Sequence, residues 1–454
     1  VFSKKIWEIA LVLACAFLAV TAAVWTADPD VFWHLKVGEW IVQNRAVPET
    51  DVYSWSAFGK PWTDHEWLWE ALIYLLHAKL GVVGLWLPVF VSAAGAGLLV
   101  RAGLLSCGTD GAVSSFAGGL APLLLGGWLK PWPQAGVYAL FSAYLYLSLK
   151  GKWGKKEFLA TFALGALWAN VHSSAVLLPL LFAAEAVFKC LCKKDPGRLL
   201  AAALASAAGT LLNPHGAGLW IYAVREGLAT REYRECIAEW MPFYFGDAAM
   251  AGAFFVSAAV LLLAAKQDRV GTLTFVRAAG FWLLALLSRI YVPFAALSTA
   301  ALAGMLGTSF KEWAVKAGAV LMLVFGIALT AVRGLPADLD AAAERARFPV
   351  KAVEFLKGQE YARLFNDYGF GGYLIFKGVP VYIDGRADLY RSGIFKRYVG
   401  ISNTDEKMSS YIEGTGADAA LLLARSPADR AMMESTKWEC IYRDGAAAVY
   451  FKKR

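Results

Sequence analysis

The run from Ile6 to Ala27 carries a single charged residue, Glu8, and reaches the roughly 20 residues that cross a bilayer as one helix. Inside hydrocarbon the backbone must satisfy its own N–H and C=O groups, so such a run folds as a helix before anything else is decided. Comparable runs recur as far as residue 333, and 58% of the 454 residues are hydrophobic against 18% charged. With a mean hydropathy of +0.49, the chain reads as a polytopic membrane protein. The first run is too long for a removable signal peptide and lacks a small-residue cleavage pattern. A formal net charge of +8 suggests nucleic acid only until its placement is read. The basic residues sit in short clusters between apolar runs, which is the pattern of cytoplasmic loops.

Lys4 and Lys5 precede the first run and predict a cytoplasmic N-terminus, with the loop Asp28 to Glu66 facing outward. Two further basic clusters, Lys150, Lys152, Lys155, Lys156 and Lys189, Lys193, Lys194, Arg198, predict cytoplasmic loops. Helices near 157–172 and 173–189 then form a hairpin whose tip, Trp168-Ala-Asn-Val-His-Ser-Ser, points outward. A span near 198–213 delivers Asn213-Pro-His-Gly to the same side. Spans near 249–265, 291–309 and 316–333 follow, with Lys266, Arg269, Lys311 and Lys316 inside and Arg289 at an outer end. The short segment Trp67 to Lys79, carrying Glu70 and His77, fits the interface or a bent unit with the following helix. About 11 to 13 spans result. After Arg333 the composition becomes that of a globular domain. An amphipathic helix is expected over Leu339 to Lys357, followed by short runs at Arg363-Leu-Phe-Asn, Pro380-Val-Tyr-Ile-Asp, Ala419-Ala-Leu-Leu-Leu and Ala446-Ala-Ala-Val-Tyr-Phe. The division is thus a multi-span domain over 1–335 and an external α/β domain over 336–454. No internal repeat is evident. The six cysteines form no disulfide framework. Cys190 and Cys192 fall in an expected cytoplasmic loop, and Cys236 and Cys440, both on the expected outer side, are a candidate pair.

Four of the five histidines, His34, His65, His172 and His215, map to outward ends of spans. In Asp28-Pro-Asp-Val-Phe-Trp-His a helix beginning near Pro29 puts Asp30 and His34 on one face, with Asp30 a candidate cap. Trp33, Trp40 and Ile41 read as the side of that helix that lies on lipid. Thr63 and Glu66 fit a capping box for the next helix, which leaves Asp64 and His65 unexplained by capping. Asp28, Asp30, His34, Asp64, His65 and Glu66 together offer the ligand types of a divalent metal, at spacings that match no specific motif. Lys130, Arg225, Arg231, Arg234 and Arg289 form a cationic complement on the same side, suited to phosphate and equally to lipid headgroups. Gly369, Gly371 and Gly372 beside Asp384-Gly-Arg-Ala-Asp suit either a close approach or a tight turn. Asp384, Arg386 and Asp388 read as a salt-bridged turn.

These residues carry a resemblance. Asp28-Pro-Asp-Val-Phe-Trp-His-Leu-Lys-Val-Gly-Glu-Trp, Pro48-Glu-Thr-Asp-Val-Tyr-Ser-Trp and Trp62-Thr-Asp-His-Glu-Trp-Leu-Trp-Glu resemble a group of bacterial multi-span proteins similar to glycosyltransferases of the GT-C fold. Trp168-Ala-Asn-Val-His, Leu212-Asn-Pro-His-Gly, Asn366-Asp-Tyr-Gly-Phe-Gly-Gly-Tyr-Leu-Ile and Tyr382-Ile-Asp-Gly-Arg-Ala-Asp-Leu-Tyr extend the likeness over most of the chain. The resemblance implies an α-helical GT-C-like protein of the bacterial cytoplasmic membrane. Its sugar comes from a polyprenyl-phosphate donor lying among membrane lipids and passes to a protein, lipid or glycan acceptor on the outer face. Asp28-Pro-Asp30 matches the acidic motif of the first outer loop in place and type. That assigns catalysis to Asp30, Asp28 and His34, with Asp28 and Asp30 as metal ligands if a divalent ion takes part. Asp64, His65, Glu66, Lys130, Asn170, His172 and Arg289 are the expected substrate-binding residues. A transporter or flippase would predict inverted repeats and ionisable groups at the midplane; a non-catalytic assembly protein would keep the fold without transfer.

Overall fold

The computed structural model describes residues 2–23, 28–228, 233, 237–267, 271–307, 309–402 and 405–453. The chain folds as two compact units, one formed by Val1–Val24 and Val83–Leu335, the other by Trp25–Val82 and Pro336–Arg454.

The first unit is helical. It comprises α1 (Phe2–Ala23), α4 (Val82–Ser106), α5 (Gly111–Leu125), α6 (Pro133–Lys150), α7 (Lys155–Val171), α8 (Leu177–Leu191), α9 (Gly197–Thr210) and α10 (Gly218–Leu228), continued by α11 (Ala248–Ala265), α12 (Thr272–Leu287), α13 (Val292–Gly304) and α14 (Glu312–Arg333). Among the described residues, five stretches are long and apolar enough to cross a membrane: Ser3–Ala23, Val82–Ser106, Ser173–Leu191, Ala248–Ala265 and Glu312–Arg333. Thr272–Leu287 is a shorter apolar helix. Large apolar side chains such as Leu204, Leu262, Leu283 and Val332 point outward, as lipid contact requires. Where helices cross, small residues let backbones touch. A Cβ on Gly97 would lie 2.4 Å from the Gly118 carbonyl oxygen, and one on Gly209 would lie 2.1 Å from that of Phe162. Glu8 on α1 is held by Arg101 Nη2 at 2.6 Å, which explains how the one charge of the first run is tolerated.

The second unit joins the segment after α1 to the C-terminal region. Its N-terminal part holds α2 (Asp30–Asn44) and α3 (Trp67–Leu80). The C-terminal part adds α15 (Leu339–Arg345), α16 (Val350–Leu356), β1 (Leu364–Asn366), α17 (Gly371–Phe376), α18 (Ala387–Tyr390), β2 (Ala419–Leu423), β3 (Trp438–Arg443) and β4 (Ala447–Lys452). Its four-stranded sheet runs β1-β2-β4-β3, parallel between β1 and β2 and antiparallel elsewhere. The helix expected over Leu339 to Lys357 is two short ones, because Arg347 turns into the left-handed region at φ 63° and Pro349 opens the second as its cap. Pro380-Val-Tyr-Ile-Asp forms only a single parallel bridge, Ser54 to Val381.

Helix α2 does not lie on lipid. Val31, Phe32, Trp33, His34, Leu35, Val37 and Ile41 are buried in protein, and Phe32 packs edge-on against Phe348 and Tyr373 at 5.0 and 5.1 Å. Of the face read as lipid-bound, Trp33 and Ile41 are buried and Trp40 is half-buried, with Trp33 beside Gly372 of the C-terminal part of the same unit. Glycines permit this. A Cβ on Gly38 would meet the Glu70 carbonyl oxygen at 2.1 Å, fixing α2 against α3, and one on Gly372 would meet that of Pro29 at 2.2 Å. The Asp384-Gly-Arg turn is anchored by a buried guanidinium: Arg386 donates from Nε and Nη2 to Asp384 at 2.8 and 2.7 Å and from Nη1 to Asp51 at 2.8 Å. Its plane lies over Tyr53 and Trp62.

Candidate functional site

Asp28 and Asp30 stand at the start of α2 in a cap of a different kind from the one expected. Pro29 is the capping residue and offers no side-chain acceptor. Asp28 Oδ1 accepts the backbone N–H of Asp30 at 3.0 Å, while Asp30 lies inside the first turn and accepts Trp33 Nε1 at 3.0 Å. Asp28 is buried and Asp30 half-buried. A Cβ on Gly385 would fall 1.9 Å from Asp30 Oδ1, so only glycine lets that turn close over the carboxylate.

One helical turn on, His34 is buried. Its Nδ1 lies 2.8 Å from Glu70 Oε1 and 4.0 Å from Glu66 Oε2. The capping box expected from Thr63 and Glu66 is not formed. Glu66 itself is the cap residue of α3 and makes no side-chain cap bond; its backbone N–H instead goes to Asp64 Oδ1 at 3.1 Å. Its carboxylate is thereby left to the cluster rather than to the helix end. His65 lies beside it, Nε2 at 3.7 Å from Glu66 Oε1.

Acids brought together out of water disfavour one another's charge. Burial first, then Asp64, Asp30 and Asp388, hold the Glu66 carboxyl well above the usual range. Burial, Asp64 and Glu66 do the same to Glu70, against a smaller opposing pull from Arg386. Such a group either keeps a proton or gives it up to a cation. His34, Glu66 and Glu70 place one ligand atom each within 4.8 Å of one another, and one imidazole with two carboxylates is a donor set that suits a divalent metal. Asp28 and Asp30, the pair singled out for metal in the sequence, are not members of this group.

Two members were not legible as site residues. Glu70 sits in the first turn of an apolar helix, where a fully buried acid is itself the signal. Asp388 looked like part of a turn, yet its charge reaches Glu66.

The remaining expected residues belong to the first unit. Lys130 lies over the Trp132 ring at 4.6 Å. The Asn170 amide donates to the carbonyls of Ala166 and Leu212, both at 2.7 Å, tying α7 to the Asn213-Pro-His-Gly loop. His172 Nδ1 lies 2.9 Å from Ser174 Oγ, and Arg289 donates from Nε to Pro242 O at 2.8 Å. His215 has its backbone N–H on Asn213 Oδ1 at 2.8 Å, and Arg225 pairs with Glu226 at 3.1 Å. Arg231, Arg234, Arg269 and Cys236 lie outside the described residues; Cys440 carries a free thiol.

No protein-family model and no curated protein sequence matches the chain. Solved structures do. The archaeal oligosaccharyltransferase AglB from Archaeoglobus fulgidus, in complex with an inhibitory peptide and a dolichol-phosphate, aligns at a TM-score of 0.59 and 12% identity, covering 100% of this chain and 75% of that one. ArnT from Cupriavidus metallidurans bound to undecaprenyl phosphate aligns at 0.57 and 13% identity, covering 98% and 97%. The Archaeoglobus fulgidus oligosaccharyltransferase in complex with Zn and sulfate aligns at 0.55 and 13%, covering 91% and 68%. At these identities the likeness is one of fold: the chain is GT-C-like, with apolar helices of membrane-crossing length.

Proposed function

We propose that the chain is a GT-C transferase that moves a sugar from a polyprenyl-phosphate donor to an acceptor at the outer face of the bacterial cytoplasmic membrane. The observation that carries this reading is Asp30: a half-buried carboxylate at the start of the helix that follows the first span, backed by the buried imidazole and carboxyl groups of His34, Glu66 and Glu70. The fold, shared with proteins solved in complex with a dolichol-phosphate and with undecaprenyl phosphate, supports the donor class.

In this reading Asp30 takes the proton of the acceptor hydroxyl as its oxygen attacks the sugar carbon and the polyprenyl phosphate departs. Trp33 Nε1, on Oδ1, fixes the carboxylate's orientation. Asp28 holds the helix start, and His34, pinned by Glu70, supports the acidic group from behind. Asp64, His65 and Glu66 bind substrate or, with His34 and Glu70, a divalent metal, which would supply charge to the departing phosphate. In the first unit, Lys130 and Arg289 serve phosphate, and Asn170 and His172 serve sugar hydroxyls. The reading keeps a cytoplasmic N-terminus, 11 to 13 spans and an external C-terminal region that helps select the acceptor.

A transfer assay on the purified chain with a panel of polyprenyl-phosphate sugars tests this. Asp28→Asn and Asp30→Asn are expected to abolish transfer without changing the melting profile; full activity in both variants overturns the assignment. Removal of divalent metal by chelation, followed by repletion, checks the metal role separately.

A further inference from the structure

A buried polar network in the first unit has no place in that chemistry. Arg277 on α12 donates from Nη1 to Glu185 Oε1 on α8 at 2.8 Å, and to Tyr144 Oη and Ser148 Oγ on α6 at 3.1 and 2.9 Å. Tyr144 and Ser148 in turn donate to the same Glu185 oxygen, both at 2.6 Å. The Arg277 side chain is only 5% exposed, yet Nε and Nη2 meet no acceptor among the described residues. Those two nitrogens form one edge of the guanidinium, the fork that takes two oxygens of a phosphate or carboxylate at once. Left dry, each donor costs the free energy of an unmade hydrogen bond.

The surroundings indicate which anion fits. Arg277 is five residues from the start of its helix, Thr272–Leu287, and Glu185 six from the end of Leu177–Leu191, so both lie about 8–9 Å inside the helix ends at 1.5 Å per residue. At the same end, the loop after α6 is tied to the network by rings: Trp153 packs on Phe182 at 5.5 Å, and Phe182 on Tyr144 at 5.1 Å. Around it stand the exposed Lys152, Lys155, Lys156, Lys193 and Lys194. A neutral Arg–Glu pair with an open fork, below a strongly basic rim, suits a phosphate group.

We propose that the Nε–Nη2 edge of Arg277 is a phosphate-binding site at the basic end of the first unit, occupied by the headgroup of an anionic lipid or by free phosphate. It stands apart from the transfer reaction and does not rest on it. The full-length protein, stripped of lipid in detergent, is titrated with phosphatidylglycerol and, separately, with inorganic phosphate, reading retained ligand by native mass spectrometry and the shift in melting midpoint. Binding of the lipid identifies the headgroup as the source, and binding of inorganic phosphate alone identifies the free ion. Arg277→Lys keeps the charge opposite Glu185 and removes the fork; it should weaken binding at least about tenfold, as two charge-assisted hydrogen bonds require. Arg101→Lys, whose Nε and Nη2 already serve Ser115 and Glu8, should leave binding unchanged. If Arg277→Lys does not fold, the double variant Arg277→Gln with Glu185→Gln, which buries neither charge, replaces it. Binding of neither probe to the wild type, or equal binding after loss of the fork, overturns the site.

Discussion

Two buried arginines, one in each unit, show how differently the same side chain is used. Arg386 is 1% exposed and all three of its nitrogens donate to carboxylates, Asp384 and Asp51, while its faces lie over Tyr53 and Trp62. Arg277 is also buried, with its guanidinium over the Tyr144 ring, but it makes its hydrogen bonds to the described residues through one nitrogen and leaves an edge open. The first arrangement closes on itself and holds a fold. The second is complete only with something added, and that difference is the basis on which we separate a structural charge from a binding group.

The sharpest way to break the comparison is to remove each guanidinium. Arg386→Ala leaves two buried carboxylates without their cation and should destabilise the second unit by about 3–5 kcal/mol, read as a fall in the melting midpoint of tryptophan fluorescence. Arg277→Lys, tested beside it without added phosphate, should melt close to wild type; equal losses would erase the distinction. Next in size is Gly38→Ala, which drives a methyl group to 2.1 Å from the Glu70 carbonyl oxygen and should cost about 1–3 kcal/mol as the two helices move apart. Gly369→Ala, at a position where a Cβ meets nothing within 4 Å, is its near-neutral control.

The smallest effect is one of pH. Asp367, which accepts Tyr398 Oη at 3.0 Å, has its carboxyl raised by burial from 3.8 to about 6. Between those values the folded state holds a proton that the unfolded chain has lost, so the contribution of this group to stability falls as pH rises through about 6. Asp367→Asn should flatten that part of the stability–pH curve of the full chain, measured by melting at stepped pH. An unchanged slope would contradict the assignment.

Much of this organisation was legible in the sequence. Pro29 and the acids around it marked the start of α2, and the short runs near residues 364, 419 and 447 marked three of the strands. What covers α2 was not legible. Trp33 read as lipid-facing because its neighbour Gly372 comes from more than 300 positions along the chain, and an apolar stripe does not state what it packs on. Capping rules misassigned Asp30 and Glu66 for a related reason. Each has a backbone role available locally, yet the Asp30 carboxylate takes Trp33 Nε1 and that of Glu66 joins His34 and Glu70 where α2 packs on α3. Glu70 was visible as an acid in an apolar helix, but its partner His34 was not. Arg347, which ends α15 early in the left-handed region, has no signature in residue type.

In the proposed function the acid at the start of α2, Asp30, is the base in sugar transfer. Its most direct test is the initial rate of transfer from a polyprenyl-phosphate sugar by wild type and by Asp30→Asn, at equal amounts of folded protein. Loss of a general base should lower that rate at least about a hundredfold with the melting midpoint unchanged. Transfer by Asp30→Asn at the wild-type rate, or no transfer by wild type with any donor of this class, would contradict it.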